Sequence, residues 1–141
     1  MKIIELKTYS PKYFKAIHQL SDQLTAGTYD LQESYLKEIV ESENCHLFLL
    51  MEKNEVIGML SVCIYKAPTG YRAWVEDVVV MDAARGRGLG RKLMLHAIDF
   101  AKELGVDTLT LTSNPTRVAA NGLYQSLEFN QRETNVYQMV F

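Results

Sequence analysis

The chain has 141 residues, 48% of them hydrophobic and 23% charged, with a formal net charge of −2 and an isoelectric point near 5.9. That balance gives one expected domain, residues 1–141, with a sizeable core; it argues against disorder and against nucleic-acid binding through a generally basic surface. No apolar run approaches membrane-spanning length and the opening MKIIELKTYSPKYF lacks a signal-peptide core, so a soluble cytoplasmic domain with no membrane or nucleic-acid partner is expected.

The segment KIIELKTY alternates loosely as a first strand and ends at Ser10-Pro11, a helix N-cap followed by proline at the first helical position. Phe14, Ile17, Leu20 and Leu24 then recur at helical spacing, and Leu31, Tyr35, Ile39 and Val40 repeat it in a second helix beyond the break TAGTYD. CHLFLLMEK and VIGMLSVCIY read as a hairpin turning at KNE, and APTG leads into a third strand of that series, YRAWVEDVVVM. Its continuously apolar end suits a strand covered on both faces. Cys45 and Cys63 each lie in an apolar run without metal-ligand spacing, so each reads as a small buried hydrophobe in a reducing compartment, and no metal is expected. His18, His46 and His96 are scattered and read as packing residues.

After DAARGRGLGRKLM, the residues Leu89, Leu93, Ala97, Phe100, Ala101 and Leu104 trace one apolar helix face that stops at Gly105. VDTLTLTS follows as a strand, NPTRVAANGLYQSL as a short helix, and VYQMVF as a closing strand. The expected order is β-α-α-β-β-β-α-β-α-β, an α/β or α+β domain with a mixed sheet in which residues 74–113 form a right-handed parallel crossover.

The glycine-rich stretch therefore joins a buried strand to a long amphipathic helix. Gly86, Gly88 and Gly90 let a ligand approach the main chain, and a helix N-terminus offers unpaired N–H groups and partial positive charge, a combination suited to phosphate. Arg85, Arg87, Arg91 and Lys92 surround it, and a tight turn with solvated arginines would use the same residues. The spacing G-x-G-x-G is not the dinucleotide fingerprint, and Arg91-Lys92 replaces the ending of the P-loop.

The pattern R-x-x-G-x-G over Arg85–Gly90, after VEDVVV and with SNPTRVAANGLYQSLEF downstream, resembles the signature of the GNAT superfamily of N-acetyltransferases. The resemblance spans about Trp74 to Phe129, and Glu128 stands where that superfamily usually has glycine. It implies a single-domain GNAT-like fold, α+β, with a mixed central sheet of about six to seven strands and about four flanking helices. It further implies acetyl-CoA as co-substrate, an amine (small molecule or peptide) as acceptor, direct attack in a ternary complex, and possible homodimers. The implied contacts to acetyl-CoA are the main chain of Val78, Val79 and Val80, the loop from Arg85 through Gly86, Arg87, Gly88, Leu89, Gly90 and Arg91, and the side chains of Asn114 and Asn121. Val78 N–H would polarise the thioester carbonyl and Tyr124 would protonate the leaving thiolate. Asn114 also suits capping of the following helix, and Tyr124 also suits core packing.

Glu76 and Asp77 are adjacent on an apolar strand and are expected on opposite faces, Glu76 with Trp74, Val78 and Val80, Asp77 with Val75 and Val79. Superfamily members often carry glutamate where this chain has Trp74, so Glu76 is assigned to the amine through water, as a ligand of its ammonium, or to structural ion pairing. The acceptor site is expected between the first two helices and the turn after VIGMLSVCIY, with Tyr29, Tyr65 and Tyr71 lining it or covering the sheet. An acyl-CoA-binding sensor without catalysis is the alternative reading.

Overall fold

A computed structural model describes all residues, Met1–Phe141, as two compact units, Met1–Leu111 and Thr112–Phe141. In the first, β1 (Lys2–Glu5), α1 (Pro11–Thr25), α2 (Glu33–Glu41), β2 (Cys45–Glu52), β3 (Glu55–Ala67), β4 (Gly70–Val80), α3 (Leu89–Leu104) and β5 (Thr108–Thr110) follow in order. One five-stranded sheet runs β1-β2-β3-β4-β5. Its first three pairings are antiparallel and β4–β5 is parallel, which delivers the expected crossover through α3. The second unit holds α4 (Val118–Ser126). No helix is long and apolar enough to cross a membrane.

Local chemistry explains the elements. Pro11 opens α1, and Ser10 takes the extended N-cap conformation although its side chain makes no capping bond. The hairpin turns on Lys53 and Asn54, both with positive φ (50° and 65°), the pair of left-handed residues that a two-residue turn of the primed type needs. Ile17 and Leu20 of α1 are buried together with Leu36 and Val40 of α2, and with Leu47, Leu49, Met51, Met59 and Val79 of the sheet. The buried face of α2 thus runs through Leu36 and Val40, while Tyr35, expected inside, is exposed. On the other face α3 buries Leu89, Leu93, Met94, Ala97 and Ala101. Gly58 permits that contact: a Cβ there would stand 3.1 Å from the Val79 carbonyl and 3.4 Å from Leu93 Cδ1.

Three expectations are corrected. The sheet has five strands rather than six or seven, because VYQMVF joins no ladder. Val136, Tyr137, Met139, Val140 and Phe141 are exposed; an apolar run becomes a strand only where an edge pairs with it. The strand VDTLTLTS is trimmed to Thr108–Thr110, which pair with Arg72–Trp74 alone. The third correction is a β-bulge. β3 and β4 pair Met59 with Val79 but Ser61 with Glu76, so Asp77 and Val78 together face Leu60, and Asp77 adopts φ 54°.

The bulge changes which side chains share a face. Opposed residues in a ladder point to the same side and alternate along each strand. Val75 pairs with Val62, and Val62 with His46, on the α3 side, where His46 meets Phe100. Val80 is also on that side, its Cγ2 lying 3.5 Å from a Cβ built on Gly58. Val79 belongs to the α1–α2 core. Glu76 and Val80, expected together, therefore face opposite ways, because the extra residue inverts the alternation. Glu76 shares the α1–α2 side with its partner Ser61, and one row further along that side are Trp74 and Cys63.

Candidate functional site

From Val80 the chain passes Met81 and a single 3-10 turn, Asp82–Ala84, into the glycine loop and then α3. Gly86 (φ 78°) and Gly88 (φ 72°) are left-handed, and a Cβ built on either meets nothing within 4 Å. The glycines are therefore required by backbone conformation, and the ground above them is open. Gly88 is the N-cap of α3, so no side chain caps the helix, and its first turn contains no acid. The N–H groups of Leu89, Gly90 and Arg91 belong to that first turn, where no earlier helical carbonyl can accept them. With the helix dipole they form a cradle for an anion of several oxygens.

The arginines contribute less free charge than the sequence suggests. Arg87 donates twice to Glu52, at 2.9 and 2.8 Å, and Arg85 pairs with Asp82 at 3.0 Å. The hydrogen bonds from Arg87 hold the Glu52 carboxyl below its usual range. Arg85 and Arg87 are thus engaged within the protein, and the main-chain amides add to the positive character of the loop.

Upstream, β5 covers β4 only as far as Trp74, so the edge from Val75 to Val80 has no strand beside it. A bulge bends and twists a strand, and the one at Asp77–Val78 lies within this unpaired stretch, three residues beyond the last β4–β5 pair. Val78, Val79 and Val80 lie along this edge, and Val79 is buried while its neighbours are half-buried. No local pattern pointed to Gln23. Its Nε2 donates to the Val80 carbonyl at 2.8 Å and its Oε1 accepts from Asp82 N–H at 3.0 Å, tying α1 to the strand end that enters the loop.

Burial first, and then the charge of Asp77, raise the Glu76 carboxyl above its usual range. Burial likewise raises Asp77. Glu76 is thus a carboxylate placed at the margin of the open edge with its affinity for protons increased.

In the second unit, Asn114 Oδ1 accepts from Thr116 N–H at 2.9 Å and from Thr116 Oγ1 at 2.8 Å. Asn114 therefore closes a turn ahead of α4, whose N-cap is Arg117. Asn121 Nδ2 donates to the carbonyls of Asn114 and Arg117, at 2.9 and 2.8 Å. Tyr124 is buried, with its ring edge-on to Phe129 at 6.3 Å. Burial pushes its phenol above the usual range, against a smaller opposing effect of Arg117. Glu128 has φ 70°, the conformation glycine takes freely, which accounts for glycine at this place in the resembled superfamily.

Among the expected acceptor-site tyrosines, Tyr29 and Tyr65 are exposed; Tyr29 stands edge-on to Tyr35, and Tyr71 lies under Lys66 Nζ. A cavity of about 370 Å³ opens beside α1 and the start of α2, with Phe14, His18, Asp30 and Glu33 on its wall. His18 Nε2 meets Asp30 Oδ1 at 2.8 Å, which raises the imidazole above its usual range. The cysteines are not separate buried hydrophobes: Cys45 and Cys63 are half-buried register partners. Position in sequence carried no hint of that, because hairpin register decides it.

Known proteins resemble the chain in sequence and in fold. The profile of the acetyltransferase (GNAT) family matches residues 12–129. A mycothiol acetyltransferase of Renibacterium salmoninarum is 36% identical over 100 residues, covering 67% of this chain and 30% of that protein; the chain thus spans less than a third of this relative's length. A solved structure titled transcriptional regulator, from Bacillus halodurans, is 30% identical with a TM-score of 0.81 over 99% of both chains. A putative acetyltransferase from Agrobacterium tumefaciens, 20% identical, superposes with a TM-score of 0.87 over 99% of this chain and 100% of its own.

Proposed function

Because the chain belongs to the acetyltransferase (GNAT) family, we propose that it is an acetyl-CoA-dependent N-acetyltransferase acting on a primary amine. The observation that carries this reading is the open, left-handed Gly86–Gly88 loop at the start of α3, set immediately after a strand edge that no other strand pairs with beyond Trp74. The residues fit the proposed co-substrate: main-chain amides for a pyrophosphate, space above both glycines, and an extended edge for a pantetheine arm in the manner of an added strand.

Acetyl-CoA supplies a thioester with an electrophilic acyl carbon and a thiolate leaving group. Val78 N–H lies in the bulge, away from regular ladder pairing, and is the donor assigned to the carbonyl oxygen as charge develops there. The Val80 carbonyl is already engaged by Gln23, so Val80 contributes through its N–H and side chain. Glu76 holds the amine as its ammonium and accepts the proton that the amine must lose before it attacks. Tyr124, by its place in the LYQSLEF segment, returns a proton to the thiolate. Arg85, Arg87 and Arg91 flank the loop that takes the anion, and Asn114 and Asn121 are the polar contacts that the family resemblance implies.

Release of free CoA thiol from acetyl-CoA, followed with a panel of polyamines, amino sugars, amino acids and peptides, tests the reading. Amine-dependent thiol release in step with amine acetylation is the expected result. Calorimetric binding of acetyl-CoA with no turnover on any amine would overturn the enzyme in favour of a binding module.

A further inference from the structure

The only two cysteines in the chain meet across the β2–β3 hairpin. Cys45 and Cys63 are register partners, their sulfurs 4.0 Å apart and both half-buried. The main chain beside them defines the type of pair. Ile64 N–H donates to the Asn44 carbonyl at 2.9 Å, which makes 44/64 a hydrogen-bonded pair and leaves 45/63 as a non-hydrogen-bonded one. Such pairs bring their Cα atoms to about 4.5 Å, inside the roughly 4.4–6.8 Å that a disulfide spans. Rotation of the side chains would suffice to join the sulfurs, with the ladder left in place.

We propose that Cys45 and Cys63 are a reversible oxidation site that closes to a cross-strand disulfide by exchange with a low-molecular-weight disulfide. The Cys45 thiolate attacks one sulfur of the small disulfide, forming a mixed disulfide and expelling one small thiolate, which takes up the proton Cys45 lost. The Cys63 sulfur, losing its proton, then attacks Cys45 Sγ and expels the second small thiol. Two protein thiols are oxidised by two electrons, and the small disulfide is reduced to two thiols. Burial first, and the neighbouring Cys45 second, push the Cys63 thiol up, which suits it to the second, intramolecular step.

The site has a reporter and a consequential address. Trp74, the only tryptophan, is the β4 register partner of Cys63, and the next row on that sheet face holds Ser61 and Glu76. A disulfide beside an indole quenches its emission, so closure should be visible in Trp74 fluorescence. None of this depends on the acyl-transfer reading.

The full chain is equilibrated in graded mixtures of reduced and oxidised glutathione, quenched in acid, alkylated and weighed intact. The expected product is one chain lighter by about 2 Da, the two hydrogens lost, resistant to alkylation, yielding a linked Cys45–Cys63 peptide and dimmer in Trp74 emission. Dithiothreitol should restore mass, thiols and emission. In Cys45→Ser, Cys63 should stay alkylatable or carry one glutathione, and Trp74 emission should keep its reduced value. Two glutathione adducts per wild-type chain, links between chains, or both thiols still alkylatable in the most oxidising mixture would overturn the proposal.

Discussion

Tyr124 and Glu76 are both carboxyl or phenol groups whose surroundings favour the protonated form, and this has opposite consequences for the two roles. A general acid benefits. Burial keeps the Tyr124 proton in place across neutral pH, so no alkaline loss of activity from this group is expected below about pH 10. Tyr124→Phe should lower kcat by about 100-fold, the lower end of the usual contribution of a positioned acid, with acetyl-CoA affinity little changed; wild-type turnover across pH would remove the residue from that role. For Glu76 the shift costs stability. Its folded-state pKa lies above the ordinary value, so the charged form is disfavoured in the native protein. The cost is present above the folded pKa and disappears as pH falls through it. Glu76 is exposed, so solvent screens most of that cost; Glu76→Gln should raise the melting temperature only slightly at about pH 7.5, the gain shrinking toward about pH 4.5, while turnover falls and loses its acidic limb. Equal melting temperatures at neutral pH would mean that Glu76 is offset by a partner in the ion-pairing sense.

At the scale of elements, the bulge in β4 lies on the edge that β5 leaves unpaired, and it turns on Asp77. The left-handed φ of 54° is tolerated by Asp, Asn and Gly and penalised by about 1–2 kcal/mol for a residue with a branched Cβ. Asp77→Asn should preserve the urea midpoint, Asp77→Val should lower the unfolding free energy by that amount and the midpoint with it, and equal midpoints would mean the bulge is held by other forces. Gln23 makes the complementary attachment from α1. Gln23→Ala strands the Val80 carbonyl and the Asp82 N–H, which should cost about 1 kcal/mol and speed hydrogen exchange at the Asp82 amide. These devices mark the limit of what the sequence reveals. Periodicity located the first three helices and the strands that pair, the Asn114-Pro115 entry located the fourth helix although it begins only at Val118, and the glycine spacing located the loop, since each is a local pattern. The bulge breaks alternation through one residue whose identity, Asp, fits several conformations, so Glu76 and Val80 read as neighbours although they face apart. The Cys45–Cys63 pairing and the reach of Gln23 depend on register and on contacts distant in sequence. VYQMVF has strand composition, but composition cannot supply an edge to pair with.

For the whole molecule, binding and stability are linked quantities. The second unit, 112–141, buries only Tyr124, and segments below about 40 residues seldom sustain a core alone. We therefore expect the whole chain to unfold as one domain, in a single calorimetric transition. A ligand that binds the native state alone adds RT ln(1 + [L]/Kd), about 2.7 kcal/mol at a hundredfold excess over Kd. For a chain of this size that corresponds to a rise of roughly 5–10 °C. Gly88→Glu sharpens the test, because it acts on the native state in two separable ways. Without ligand, a side chain at φ 72° lowers the transition by about 1–2 kcal/mol of backbone strain. With acetyl-CoA, a carboxylate in the anion cradle should abolish the ligand-induced rise, although the variant remains folded and cooperative. Gly88→Ala separates strain from charge, since it carries the same left-handed penalty without the negative group and should retain most of the rise. A Gly88→Glu protein that gains as many degrees from acetyl-CoA as the wild type would show that the anion binds elsewhere, and the loop would lose its assigned role even if acetyl transfer itself were observed.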